Sequence, residues 1–190
     1  MLFRSLLTPP PYPQPNRLGL ILAAPTDGQQ PSRGWPAAQW VEWQKESKTF
    51  EAIAAYGWIF NFLVLPDGSE SIEGMRVTTD YFKVLGIRPM LGRTFDEADT
   101  KTSPSSVVII GHDLWKRQFH GDPNVIGQTV QISRQRGRHT VVGVMPPDVR
   151  FLPSPNVAQE PNYNPDALVD YWLPAAPSPN NLKNQFAHLV

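Results

Sequence analysis

The sequence predicts an α+β fold. Three observations predict it: apolar runs of strand length, two short helical stretches with their own stop signals, and turn residues that join neighbouring strands into hairpins rather than helical crossovers.

In chain order, residues 18–23 form an apolar run suited to a buried strand, and 26–34 read as loop. Pro36 fits the first turn of a helix extending to residue 48. Along it, Trp40, Trp43, Ser47 and Phe50 form one stripe, expected to pack on a sheet, with Glu42, Lys45, Glu46 and Lys48 largely opposite. Residues 53–56 and 60–65 read as two strands rich in aromatic and branched side chains. The turn Pro66-Asp67-Gly68-Ser69 sends the chain back through 70–78. Thr79 or Asp80 is placed to cap a helix over residues 81–85, and Gly86 to end it in the left-handed conformation. Residues 106–110 are a continuous apolar strand, followed by a helix over 112–119 that Gly121-Asp122-Pro123 closes. Residues 130–133 and 140–145 flank a basic tip as the two strands of a hairpin. Residues 171–174 form a last short strand, and 186–190 begin a further apolar run.

A chain of 190 residues suffices for one large domain or two small ones; a compact fold of that size buries roughly 70% of the surface its unfolded chain exposes. The 17 basic and 17 acidic residues are scattered, so there is no electrostatic footprint for a phosphate backbone, and nucleic acid is not an expected partner. The absence of cysteine excludes a disulfide framework and thiolate metal sites. Prolines cluster at 9–15, 146–165 and 174–179, which read as extended connections. A membrane span needs about 20 apolar residues, and the start of the chain offers only a fragment interrupted by Arg4.

Several residues carry types that could do chemistry. His112, Asp113 and His120 suit zinc or iron, but a pair facing one way on a helix needs a spacing of three or four, and these histidines are eight apart. The structural reading puts His112 and Asp113 at a helix start, where a carboxylate favours the positive dipole end. Asp96, Glu97 and Asp99 lack the spacing and turn glycine of a calcium loop and read as a solvated acidic turn. No nucleophile elbow, phosphate-cradling loop or metalloprotease helix occurs, so catalysis has no candidate residues and no cofactor is expected.

Of the six tryptophans, Trp40, Trp43 and Trp115 fall on helix faces and Trp172 on a strand, which reads as packing. Trp35 and Trp58 are left as surface anchors. The basic tip, Arg134, Arg136 and Arg138, has two readings: contact with anionic lipid, cell-wall polymer or an acidic partner, or a charged hairpin end that guards a sheet edge. Trp58 and the three arginines are the candidate partner contacts.

Residues 77–95, VTTDYFKVLGIRPMLGRTF, lead into the acidic loop 96–99. After them, in order, come VVIIGHDLWKRQF at 107–119, GDPNVIGQT at 121–129 and TVVGVMPP at 140–147, while LLTPPPYPQPNRL occupies 6–18. This series resembles the periplasmic core domain of MacB-like (FtsX-like) ABC transporter permeases. The chain departs from that pattern at the basic tip and at His139, which stands where the family usually has tyrosine.

The resemblance implies a two-lobed periplasmic domain. Residues 1–17 would be the end of a first membrane helix and a Pro-rich linker, and 18–57 the first half of a membrane-proximal strand-helix-strand lobe. Residues 58–174 would form a distal mixed lobe, and 175–190 a linker and the start of the second half of the proximal lobe, which would be incomplete here, with 186–190 only partly paired. It further implies a non-catalytic part of a bacterial inner-membrane permease, with ATP hydrolysed on a separate nucleotide-binding domain. The implied partners are a second permease unit in a homodimer or pseudo-dimer, the ABC ATPase through the membrane part, and a periplasmic protein. The competing reading from the residues is a soluble extracytoplasmic module that binds a ligand on exposed aromatic side chains.

Overall fold

A computed structural model describes residues 12–19, 35–36, 43, 46–48, 50–101, 106–133, 137–150, 167–175 and 185–186. Its strands are β1 (Trp35–Pro36), β2 (Tyr56–Leu65), β3 (Gly68–Val77), β4 (Leu91–Gly92), β5 (Val107–Ile110), β6 (Thr129–Ile132), β7 (Arg138–Val144), β8 (Tyr171–Pro174) and β9 (Gln185–Phe186). The helices are α1 (Tyr81–Leu85) and α2 (His112–Phe119). The fold is α+β and dominated by sheet.

Local signals place most of these elements. A two-residue turn, Pro66-Asp67, joins β2 to β3 with Leu65 opposite Gly68. Gly86 ends α1 at φ 69°, and the Ile87 N–H reaches back to the Phe82 carbonyl at 3.0 Å, a Schellman-type closure that a Cβ would strain. Helix α2 ends on His120 and Gly121, both left-handed.

Other expectations are corrected. Instead of two strands at 53–56 and 60–65 there is one, from Tyr56 to Leu65, with 53–55 outside it, because every residue from Tyr56 to Leu65 has a partner on β3 and the ladder overrides the weak propensity of Gly57. Pro36 lies in β1, opposite Gln185, rather than in a helix, in a two-stranded ladder where a missing N–H is tolerated. Trp43 and Glu46 are helical. Phe50 leaves the expected stripe: its N–H turns back to the Ser47 Oγ at 3.3 Å, and the ring is 51% exposed. Asp80 precedes α1 in helical conformation and makes no side-chain cap. Leu18 and Gly19 are not in a strand, and 20–23 lie outside the described residues, as do Trp40, Arg134 and Arg136. Arg138 belongs to β7, not to the tip.

Seven strands form one mixed sheet in the order β4-β7-β5-β8-β3-β2-β6, and β6 also pairs with β7. The sheet therefore closes on itself as a ring of β7, β5, β8, β3, β2 and β6. The β3–β8 and β5–β7 pairs are parallel and the others antiparallel. Strands β1 and β9 pair in a separate two-stranded ladder.

Closure gives the sheet an inner and an outer face. All six ring strands supply the inner cluster, with Leu63, Ile72, Val108, Val130, Val141 and Tyr171 among its members, and Leu114 and Trp115 of α2 join it. Tyr171 leans over Gly74, where an added Cβ would lie 2.4 Å from its ring, and its hydroxyl receives the Asn61 Nδ2–H at 2.8 Å. Burial pushes the Tyr171 hydroxyl up to about 12. On the outer face α1 packs over Tyr56, Met75 and Trp172; the Tyr56 and Tyr81 rings lie 5.8 Å apart, and Phe82 meets Trp172 edge-on at 5.6 Å. Of the Pro-rich linker, Tyr12 is tied into this layer. Tyr12 is buried there and donates its hydroxyl to the Arg150 carbonyl at 2.9 Å.

Candidate interaction surface

Strand β2 alternates, so Tyr56, Trp58, Phe60, Phe62 and Val64 share the outer face. Helix α1 packs over Tyr56. Farther along the row the side chains are partly exposed: Trp58 is 37%, Phe60 59% and Phe62 44% exposed. The Phe60 and Phe62 rings meet edge-on at 5.6 Å, a favoured aromatic geometry.

Cross-strand partners define what surrounds the row, because directly opposite residues lie on one face. On the β3 side, Trp58 faces Met75, Phe60 faces Glu73, Phe62 faces Ser71 and Val64 faces Ser69. On the other side Val64 faces Gln131, which in turn faces Arg138. Trp58 and Arg138 thus share one outer face, two strands apart. Phe60 and Phe62, which the sequence reading did not single out, form its centre. The signal was present in the even positions of β2, all apolar, but a strand apolar on both faces reads equally as one buried on both. An aromatic centre with charged and polar surroundings is the composition of protein contact surfaces.

The acids near this face are not equivalent. The Arg117 guanidinium of α2 bridges Glu70 at 2.7 Å and Asp170 at 3.1 Å, and Gln118 adds a short hydrogen bond to Glu70. Asp170 also accepts the Glu73 backbone N–H at 3.0 Å. The exposed Glu73 carboxylate itself has no ion-pair partner among the described residues.

The remaining candidates lie outside this row. His112 Nδ1 lies 2.9 Å from the Asp113 carboxylate in the first turn of α2, and His120 sits at the other end of that helix. Among the described residues no group of three or more such side chains is arranged to hold a metal ion. The acidic loop differs from the solvated turn expected. Asp99 is buried and takes both arms of Arg93, at 2.6 and 3.0 Å, together with the Asp96 N–H at 2.9 Å. The Arg93 hydrogen bonds hold its carboxyl below the usual carboxylate range. Trp115 and Trp172 are buried, as packing residues; the Trp115 indole N–H is satisfied by the Asp122 carbonyl at 2.9 Å.

Residues 9–178 match the family model described as the MacB-like periplasmic core domain. The fold is similar to the periplasmic region of MacB from Actinobacillus actinomycetemcomitans, at TM-score 0.61 and 14% identity, covering 90% of this chain and 71% of that one. It is similar also to the extracellular domain of the noncanonic ABC-type transporter YknZ from Gram-positive bacteria, at TM-score 0.61 and 15% identity, covering 90% of this chain and 81% of that one. Among curated proteins the comparison finds no match. Within the described residues no helix is long and apolar enough to cross a membrane.

Proposed function

The chain belongs to the MacB-like periplasmic core domain family, and from that premise we propose that it is the non-catalytic extracytoplasmic domain of an ABC transporter permease, passing ATP-driven movement to a partner outside the membrane. ATP would be hydrolysed on a separate cytoplasmic nucleotide-binding domain, and the permease would work as a homodimer or pseudo-dimer in the bacterial inner membrane. The two-lobed division is part of this reading; what supports it is the β1–β9 ladder, which is separate from the seven-stranded sheet.

The observation that carries the proposal is the anchorage of Tyr12. A loose linker would absorb the displacement of a membrane helix preceding it. Here the linker's tyrosine is buried in the outer layer and bonded to the Arg150 carbonyl, so displacement of the linker is passed to the packed sheet, which has few intermediate arrangements. The partly exposed row on β2 belongs to that same sheet and supplies the output surface.

The test uses the full permease reconstituted with its ATPase. Amide exchange over residues 56–64 is compared between the nucleotide-free state and a state trapped with ATP by a hydrolysis-deficient ATPase. A difference in the parent that Tyr12→Ala abolishes, with ATP hydrolysis retained, is the expected result. Equal differences in parent and variant would refute the transmission route.

A further inference from the structure

Among the described residues, part of the β2 backbone edge is unpaired beside the aromatic row. β3 pairs with β2 along its whole length, whereas β6 reaches only Leu63 and Val64. The Phe62 carbonyl accepts the Ser133 N–H at 2.8 Å, so it points away from β3. Residues two apart in a strand aim their backbone groups to the same side. The Phe60 N–H and C=O therefore point away from β3 as well, and among the described residues no strand lies beside them. Proteins usually blunt such an edge with charge or proline. This one carries aromatic rings, 59% exposed at Phe60.

Charge selects what the edge receives. Glu73 stands directly across from Phe60, exposed, while the neighbouring acids Glu70 and Asp170 are held by Arg117. A lysine or arginine over the Phe60 ring gains from the ring face and from the carboxylate together. Arg138 of the same face stands two strands away from Val64, beyond Gln131, so Glu73 is the charge directly across from Phe60, and an acidic segment or an anionic lipid surface meets it with like charge.

We infer that this edge of β2 receives an extended segment of a partner protein, with lysine or arginine alternating with apolar side chains, which adds to the sheet as a strand. Backbone hydrogen bonds to Phe60 supply affinity, and the alternate side chains over Phe60 and Glu73 supply selectivity. The inference rests on the reading that this face meets a partner. Its test needs no ATPase, so lost coupling with peptide binding intact removes only the transmission route, and the converse removes only this inference.

The 190-residue chain is titrated with three capped peptides: alternating valine and lysine, alternating valine and glutamate, and the lysine peptide with a methylated backbone. Amide exchange at Phe60 is followed by NMR. The lysine peptide is expected to slow Phe60 exchange about tenfold or more, with the other two binding at least about tenfold more weakly, equivalent to about 1.4 kcal/mol. Phe60→Ser and Glu73→Gln should each weaken the lysine peptide severalfold without lowering the melting temperature. Equal binding of the glutamate or methylated peptide, or an unchanged Phe60 amide, would overturn the inference. So would protection by anionic phospholipid vesicles where the lysine peptide gives none.

Discussion

Replacing Gly74 by alanine tests how the sheet is filled. In an ordinary strand position this change removes backbone freedom from the unfolded chain and adds a side chain to pack, stabilising by about 0.5–1 kcal/mol. Here the new Cβ would lie 2.4–2.6 Å from three ring atoms of Tyr171. That ring cannot swing away cheaply. It is fully buried and its hydroxyl is bonded to Asn61. Overpacking of a core costs about 1–3 kcal/mol, and loss of the hydrogen bond about 1 more, so the net expectation is destabilisation by about 2–4 kcal/mol. For a chain of this length that lowers the melting temperature by about 5–15 °C. Thermal and urea unfolding measure it, and Tyr171→Leu in the same chain should relieve most of the Gly74→Ala penalty. An alanine variant as stable as the parent, or more stable, would refute the packing of Tyr171 over β3.

Two tryptophans and the buried aspartate give further tests. Trp172→Ala empties a fully buried site beside Phe82 and should cost about 3–5 kcal/mol, whereas Trp58→Ala, on the exposed row, should stay within about 0.5 kcal/mol; chemical unfolding separates them. Asp99→Asn breaks the two-armed contact with Arg93 and should cost about 1–2 kcal/mol at neutral pH, discounted because the Arg93 side chain is 47% exposed. The Asp99 carboxyl is held below its ordinary value of 3.8, so its contribution is complete above that pH and is lost as pH falls through the depressed folded value. The melting-temperature gap between parent and Asp99→Asn should therefore narrow on acidification, and a gap that widens would contradict the assigned contact.

The elements readable from sequence are those whose causes are local. Gly86 closes α1 because it alone escapes the left-handed penalty there; Pro66-Asp67 folds β2 onto β3; the helix over residues 112–119 and the hairpin of β6 and β7 follow from short-range pattern. The same locality explains the errors. Pro36 favours a helix start by its own geometry, and only its distant partner Gln185 makes it strand. Asp99 reads as one of several surface acids until Arg93 folds over it.

The sequence by itself determined the family and the α+β class, and it offered Trp58 and Arg138 as candidate contacts. That these two occupy one face, with Phe60 and Phe62 between them, was decided by tertiary structure. The physical reason lies in β2, whose residues are apolar on both sides. Which side is covered depends on the parallel pairing of β3 with β8, on ring closure through β6 and β7, and on the packing of α1 over Tyr56. Those contacts join residues far apart in the chain, and no local pattern of side chains encodes where a covering layer stops.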